Sequence, residues 1–174
     1  KKMADAQLVS VKKGSISLKK DGMKLANQVV RRHRLAERFL TDILGLSWAE
    51  AHHEAGKWEH VVSPRVEAAF LRLLEDPTTC PHGNPIPGTA YKIPEGTAPL
   101  AEISVGNGFI IERIPEELEF QPGLLEFLED SNLIPGENGT VTAVSPDGTT
   151  TVDVKGKKVG VGAFASQRIL VCTS

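Results

Sequence analysis

The chain has 174 residues, enough for one domain or two small ones, with an ordinary globular composition and a net charge of −2. It has no apolar run near the ~18 residues of a membrane span and no secretory signal at its polar, basic start. Its two cysteines, Cys80 and Cys172, lie far apart in sequence and form no disulfide framework. We therefore expect a cytoplasmic protein without a membrane partner.

The basic residues are concentrated at the N-terminal end. Residues 1–40 carry eleven Lys or Arg and three acidic residues, a net charge of +8, so the remainder carries −10. Such asymmetry indicates that one end of the protein faces a polyanion, although a solvated basic helix face is the alternative.

Residues 1–20 are predicted to hold the end of a helix and a short basic hairpin. The segments "LVSV" and "SISL" flank a Lys-Lys-Gly turn. A basic hairpin after a helix is how a winged helix-turn-helix ends, where the wing contacts phosphate and the preceding helix enters the major groove. We therefore expect the chain to begin inside such a DNA-binding domain. The expected DNA contacts are Lys1, Lys2, Lys12 and Lys13.

Three helices are predicted next. The first runs from about Asp21 to Leu44, with apolar residues at core spacing. The second begins at Ser47, where Glu50 three residues later completes a capping-box pattern. The third begins at Ser63-Pro64, with Ser as cap and Pro at the first helical position.

The second helix contains "AHHEAGKWEH", in which three histidines and two glutamates occur within ten residues. At about 100° per residue, His52, Glu59 and His60 lie along the edge of an apolar stripe. Likewise, His33 and Glu37 share one face of the first helix. Imidazole and carboxylate groups beside a packed face are what a partly buried divalent-metal site requires. An amphipathic helix with solvated His and Glu is the alternative.

Two zinc-protease signatures each fail by one residue on this helix. HExxH would need a histidine in place of Lys57, and HxxEH would need one in place of Gly56. The sequence therefore disfavours a metalloprotease.

After the third helix, a loop rich in Pro, Gly and Thr brings Cys80 and His82 close together in sequence. From about Ala101, short strands separated by turns, with one short helix, predict a small β-barrel. The fold class is thus α+β with several domains. The expected boundaries are 1–20 for the winged-helix remnant, 21–90 for the helical domain, 91–100 for a linker and 101–174 for the barrel.

Two strings, "RRHRLAERFLTDILGLSWAEAHHEAGKWEHVVSPRVE" and "DPTTCPHGNPIPG", resemble the diphtheria toxin repressor family of iron- and manganese-responsive regulators. The resemblance covers essentially the whole chain and is strongest from 21 to 88, and the barrel resembles the SH3-like, FeoA-like domain of that family. It implies a metal-activated homodimeric repressor, not an enzyme, that dimerises through residues 21–75 and binds a double-stranded DNA operator. Mn²⁺ or Fe²⁺ is the implied cofactor, with Co²⁺ or Zn²⁺ able to substitute.

The resemblance also implies two metal sites. In the ancillary site, His33, Glu37 and His52 stand at ligand positions of the family, and Gln121 falls near a further one.

In the primary site, Glu59 and His60 match the family, whereas Gly56 stands where the family has Cys or Glu. Cys80 matches a position from which members with a "CPHG" loop, which respond to manganese, supply a thiolate to that site. We therefore expect Cys80 to approach Glu59 and His60 across the room left by Gly56, and we expect His82 to order its loop.

Two other functions stay open at this point. A metal-dependent hydrolase would need an open metal position, a general base and a substrate cleft. An iron-transport accessory protein of the FeoA type would use the barrel alone and would leave the basic hairpin and the His/Glu helices unexplained.

Overall fold

The structure is a computed structural model that describes residues 2–173, so Lys1 lies outside the described residues. The chain begins with α1 (Lys2–Asp5) and a hairpin of β1 (Val9–Lys12) and β2 (Ser15–Leu18), which pair antiparallel. The turn residues Lys13 and Gly14 both have positive φ, 49° and 82°, as a tight two-residue hairpin turn requires. This helix end and hairpin match the expected wing, but the described residues do not show a winged helix-turn-helix.

Three helices follow: α2 (Lys20–Asp42), α3 (Trp48–Trp58) and α4 (Pro64–Leu73). The predicted capping box is confirmed, because the Ser47 side chain accepts from the Glu50 N–H and the Glu50 carboxylate accepts from the Ser47 N–H at 3.0 Å. Ser63 likewise caps α4, with Pro64 in its first turn. Helix α2 ends at Asp42, two residues before the predicted end.

Small residues let α2 and α3 pack closely. Ala36 of α2 and Ala51 and Ala55 of α3 are fully buried in one cluster. Gly22 allows another close approach, between the start of α2 and the backbone at Leu8, because a Cβ there would lie 2.0 Å from the Leu8 carbonyl oxygen. The helix therefore packs directly against the backbone that leads into the hairpin.

The C-terminal part forms one antiparallel sheet of six strands in the order β3-β8-β4-β5-β6-β7. The expected closed barrel is therefore not what the structure shows, since β3 and β7 are the two open edges. Strand β3 lies inside the segment expected to be a linker. The elements are β3 (Thr97–Pro99), a 3-10 turn (Leu100–Glu102), β4 (Gly108–Arg113), α5 (Glu116–Glu119), α6 (Leu124–Asp130), β5 (Asn138–Val144), β6 (Thr150–Val154), β7 (Lys157–Val161), α7 (Ala163–Ser166) and β8 (Leu170–Thr173).

The helical part and the sheet part share a packed interface. Trp48 of α3 is buried in the hydrophobic core of the sheet part, and its backbone N–H donates to Glu129 at 3.0 Å. The loop after α4 is held against the sheet, because the Ile114 N–H donates to the His82 carbonyl at 2.8 Å. Gly83, at φ 81°, lies so close to the Glu112 carbonyl that no Cβ fits between them. Within residues 2–173, the helices are all too short or too polar to cross a membrane.

Candidate metal centre

Three predicted ligands from two helices converge on one point. His33 and Glu37 lie one turn apart on α2, and His52 faces them from α3. The Glu37 Oε1 atom lies 3.0 Å from His33 Nε2 and 2.9 Å from His52 Nδ1, and the two ring nitrogens are 3.3 Å apart. The Glu37 side chain is 1% exposed, so its charge is met by protein groups and not by water.

These spacings fit the coordination sphere of a divalent ion. Ligands at ~2.1 Å from an ion in tetrahedral or octahedral geometry lie about 3.0–3.4 Å from one another. The three ligand atoms of His33, Glu37 and His52 form a triangle of nearly those dimensions. The side chains therefore stand where an ion would meet all three without rearrangement.

A fourth acidic group, Glu119 at the end of α5, also reaches the cluster. Its Oε2 lies 3.2 Å from His52 Nδ1 and its Oε1 lies 3.1 Å from His82 Nδ1. The Asn84 side chain donates to Glu119 Oε1 at 2.7 Å and to the Ile114 carbonyl, which holds the carboxylate in place. Sequence reasoning missed Glu119 and selected Gln121, which is exposed and lines a shallow pocket beside His52.

Cys80 and His82 form the other side of the same cluster. Both side chains are buried, and Cys80 Sγ lies 3.8 Å from His82 Nδ1. Ligand atoms of Glu37, Cys80 and His82 all lie within 4.8 Å of one another. The His82 Nδ1 atom also faces the acidic groups of the centre, at 3.1 Å from Glu119 Oε1 and 3.6 Å from Glu37 Oε1.

The grouping of Cys80 with Glu59 and His60 is corrected by the structure. Those three side chains do not form a group of ligand atoms within 4.8 Å, although all three lie in the described part of the chain. A Cβ at Gly56 would meet nothing within 4 Å, so the room beside it stays open. The Cys80 loop is fastened to the end of β4 through Ile114 and Gly83, and in this position its thiol lies near Glu37 and His82.

Glu59 instead holds His33. The Nδ1–H of His33 donates to Glu59 Oε2 at 2.7 Å, which directs Nε2 toward Glu37. A carboxylate on the far nitrogen of a ligand histidine fixes the ring orientation and makes the imidazole a stronger donor to metal. His60 lies 3.2 Å from Glu59 Oε1 and is 67% exposed.

The acidic groups control protonation in this cluster. Burial disfavours charge on His33, but hydrogen bonds and charges from Glu37 and Glu59 outweigh it and raise the pKa of His33 to about 9. Burial likewise opposes charge on His82, and Glu119 and Glu37 raise its pKa.

The same contacts have the opposite effect on the pKa of the acidic partner. Burial would raise the pKa of Glu37, but hydrogen bonds from His33 and His52 hold that pKa far below its usual range. Burial raises the pKa of the Cys80 thiol, and the nearby charges of Glu37 and Glu119 raise it further. The acidic groups therefore favour the protonated ring of His33 and the neutral thiol of Cys80.

A cavity of about 450 Å³ leads from the surface to this centre. His33, His52 and Glu59 line it together with Arg34 and Phe120. An ion has an open path to the cluster, and Gly56 widens that path.

The described residues among the expected DNA contacts lie in the N-terminal helix α1 and the hairpin, before the helices of the metal centre. Lys12 and Lys13 are exposed at the end of the hairpin, and Lys2 is exposed on α1. Their charges are therefore available to a polyanion.

Both parts of the chain match described families. Residues 19–88 match the iron dependent repressor, metal binding and dimerisation domain, and residues 98–172 match the FeoA domain. The chain is 36% identical over 152 residues to the iron-dependent repressor IdeR of Mycobacterium tuberculosis, covering 81% of this chain and 65% of that protein. It is 43% identical over 103 residues to the diphtheria toxin repressor of Corynebacterium diphtheriae, covering 59% and 41%. The chain therefore spans less than two thirds of the length of these curated relatives.

Solved structures show the same arrangement. A manganese-dependent transcriptional repressor in complex with manganese has a TM-score of 0.82 and 31% identity, covering 99% of this chain and 81% of that one. The IdeR of T. acidophilum has a TM-score of 0.75 and 25% identity, covering 99% and 79%.

Proposed function

The chain belongs to the family of iron- and manganese-dependent transcriptional repressors, and from this premise we propose that it is the metal-sensing and dimerising part of a repressor that binds operator DNA once a divalent metal is bound. The observation that carries this proposal is the convergence of His33 Nε2 and His52 Nδ1 on one buried oxygen of Glu37. Two imidazoles and one carboxylate from two helices, with ligand atoms about 3 Å apart, match the donor set and spacing of a divalent-metal site.

His33, Glu37 and His52, with Glu119 from the sheet part, would hold the ion. Imidazole and carboxylate ligands suit Mn²⁺, Fe²⁺, Co²⁺ and Zn²⁺, and cellular availability would select among them. A bound ion would supply the positive charge that joins α2, α3 and α5. Glu59 and His60 remain proposed as ligands of a second, more exposed site, with an open position at Gly56.

Joining these elements would affect DNA binding because the segment that leads into the hairpin packs against the start of α2. Its first turn packs on the Leu8 carbonyl through Gly22, and the Lys19 N–H donates to that same carbonyl at 2.9 Å. A fixed α2 therefore fixes the hairpin and the DNA-binding helices that the family places before it. Two such units in a dimer reach two half-sites only at the correct spacing. The metal acts by its higher affinity for that arrangement.

Apolar side chains left exposed in the helical region support a homodimer. A second copy that packs against these helices would bury large apolar side chains that a single copy leaves exposed. The exposed residues are Met23 and Leu25 on α2, Val61 after α3, and Val66 and Leu73 on α4.

The two alternative functions find less support. The relatives that the chain matches are transcriptional repressors and not hydrolases. An accessory protein built on the sheet part alone would not require Trp48 of α3 inside the sheet core or Glu119 at the helical cluster.

The test is metal-dependent DNA binding by the full-length protein. Operator sequences would first be selected from random DNA with Mn²⁺ present, and affinity would then be measured by fluorescence anisotropy with Mn²⁺ and with chelator. We expect tight binding only with metal, and a loss of at least tenfold in the His52→Ala variant. Glu54→Ala, which removes an exposed side chain of the same helix that pairs with Lys57, is the matched control and should bind as wild type does. Metal-independent binding by the wild type would refute the proposal.

A further inference from the structure

One arginine of α2 holds two other elements at once. The Arg34 guanidinium donates through Nη1 to the Pro85 carbonyl, in the loop after α4, and through Nη2 to Glu116 Oε2 at 2.9 Å. The Arg34 side chain is 15% exposed, whereas that of Glu116 is 47% exposed. A single side chain therefore ties α2 both to the loop and to α5 of the sheet part.

This contact differs from the other ion pairs of the protein. Within residues 2–173, Arg34–Glu116 is the one pairing of an arginine or lysine with an acid that joins helices α2–α4 to the sheet part. Arg31, one turn earlier on α2, also grips the loop, since it donates to the Pro87 carbonyl at 2.7 Å. Its acidic partner, however, is Glu67 of α4. Arg31 thus fastens the loop to the helices only.

Both contacts of Arg34 lead to Glu119. Glu116 is the first residue of the one-turn helix α5, and Glu119 is its last. Pro85 directly follows Asn84, whose side chain donates to Glu119 Oε1 at 2.7 Å. The Glu119 carboxylate therefore has two supports, α5 and the loop, and Arg34 is bonded to both.

Arginine is suited to such a double contact. Its guanidinium is planar and presents five N–H donors in fixed directions, so it holds two acceptors at a set distance from each other. Ordering two segments costs conformational entropy, and ordering them in advance removes that cost from a later binding step.

We propose that Arg34 is a positioning residue, which fastens the sheet part to α2 in the metal-free protein and thereby places the Glu119 carboxylate before an ion arrives. The fastening is independent of the proposed function, whereas its effect on metal binding rests on the proposed role of Glu119 as a ligand.

Hydrogen exchange of the metal-free chain, measured by mass spectrometry with chelator present, tests the fastening. Arg34→Met keeps a long apolar side chain but removes the charge and both donors. Exchange should become about tenfold faster in residues 78–86 and 113–120, since each lost hydrogen bond had a charged donor. Exchange in α4 and in β5–β7 should stay as in the wild type. Arg34→Lys keeps the charge without the fork and should restore part of the protection.

Two further variants define the contact. Arg31→Met is the matched control, because it removes a loop contact of the same kind and should leave exchange in 113–120 unchanged. Glu116→Gln changes only a half-exposed side chain, so it tests the contact even if Arg34→Met fails to fold. Because solvent screens this pair, Glu116→Gln should speed exchange in 113–120 by about fivefold or less and leave 78–86 unchanged.

Mn²⁺ titration separates position from charge. Removing a positive charge near the cluster would by itself strengthen cation binding, whereas a displaced Glu119 weakens it. We expect Arg34→Met to weaken Mn²⁺ binding by about tenfold, as loss of a group that orients a ligand does. In a Glu119→Gln background the same substitution should cause no further weakening.

Unchanged exchange in 113–120 for both Arg34→Met and Glu116→Gln would overturn the proposal. Equal loosening by Arg31→Met, or faster exchange throughout β5–β7, would overturn it as well. Stronger Mn²⁺ binding by Arg34→Met, with Glu119→Gln weaker than the wild type, would contradict the positioning of Glu119. If Glu119→Gln binds Mn²⁺ as the wild type does while Arg34→Met still loosens 113–120, the fastening stands and the proposed ligand role of Glu119 fails.

Discussion

The contacts of His33 with Glu37 and Glu59 give the metal-free protein a stability that depends on pH. Glu37 and Glu59 raise the pKa of His33 to about 9 against the opposing effect of burial. Because the folded pKa lies above the ordinary value near 6.5, the protonated ring stabilises the fold in full below pH 6.5. This contribution is lost as pH rises through 9.

The size of the effect follows from the pKa difference. Each pKa unit corresponds to ~1.4 kcal/mol, so the free energy of unfolding should fall by up to about 3 kcal/mol between pH 6.5 and 9. The ring of His33 is 15% exposed, so solvent screening reduces this value only modestly. Glu59→Gln removes one of the two charges that raise the pKa, and the fall should become clearly smaller.

Urea denaturation followed by far-ultraviolet circular dichroism, with chelator present, measures this free energy at each pH. Glu54→Gln is the matched control, since Glu54 lies on the same helix and pairs with exposed Lys57. In excess Mn²⁺ the sign reverses, because ligand imidazoles must lose their protons to bind and affinity rises with pH. A metal-free wild type whose stability stays flat or rises from pH 6.5 to 9 would refute the reasoning, as would identical profiles for the two variants.

Three other predictions concern the scaffold and the DNA surface. Gly22→Ala places a Cβ against the Leu8 carbonyl and should lower the free energy of unfolding by about 1–3 kcal/mol. Gly56→Ala adds a Cβ in open space within a helix and should raise that free energy by up to ~1 kcal/mol. Urea denaturation measures both changes. Trp48→Ala removes a buried side chain from the sheet core and should cost about 3–5 kcal/mol in thermal unfolding. Lys12→Ala in the full-length protein should weaken binding about equally on all DNA sequences and reduce the salt slope by about one, measured by anisotropy over a range of salt.

Local signals in the sequence were sufficient for the helical part. The caps at Ser47 and Ser63 are interactions within four residues, and both appear as predicted. Helical periodicity alone predicts that His33 and Glu37 share a face, and the edge position of His52 on the next helix, with the family resemblance, adds the third ligand. Their convergence in the structure needs only that α2 and α3 pack side by side, which their apolar stripes already indicate.

The rest of the centre depends on contacts that no local pattern encodes. Glu119 lies in the string "EELEF", where its charge matches those of Glu116 and Glu117 and nothing marks it as buried. Its place is set by Asn84, which is 35 residues away and held by Ile114. The direction of Cys80 was likewise decided by the docking of its loop on β4, which sequence spacing does not reveal.

The sequence does not predict the open sheet for a similar reason. Alternating segments predicted the strands well, but closure depends on which strands become edges. Strand β8 pairs with both β3 and β4, so it lies one strand in from the β3 edge, and β7 at the opposite edge pairs with β6 alone. The β3 segment, "TAP", is too short to show alternation, so the sequence predicts only a linker there.

Anomalous diffraction from crystals of the chain grown with Mn²⁺ tests the central claim most directly. The account predicts an anomalous peak at ~2.0–2.3 Å from His33 Nε2, His52 Nδ1 and a Glu37 oxygen. A chain that carries Mn²⁺ only at Glu59 and His60, with no peak beside Glu37, would contradict it.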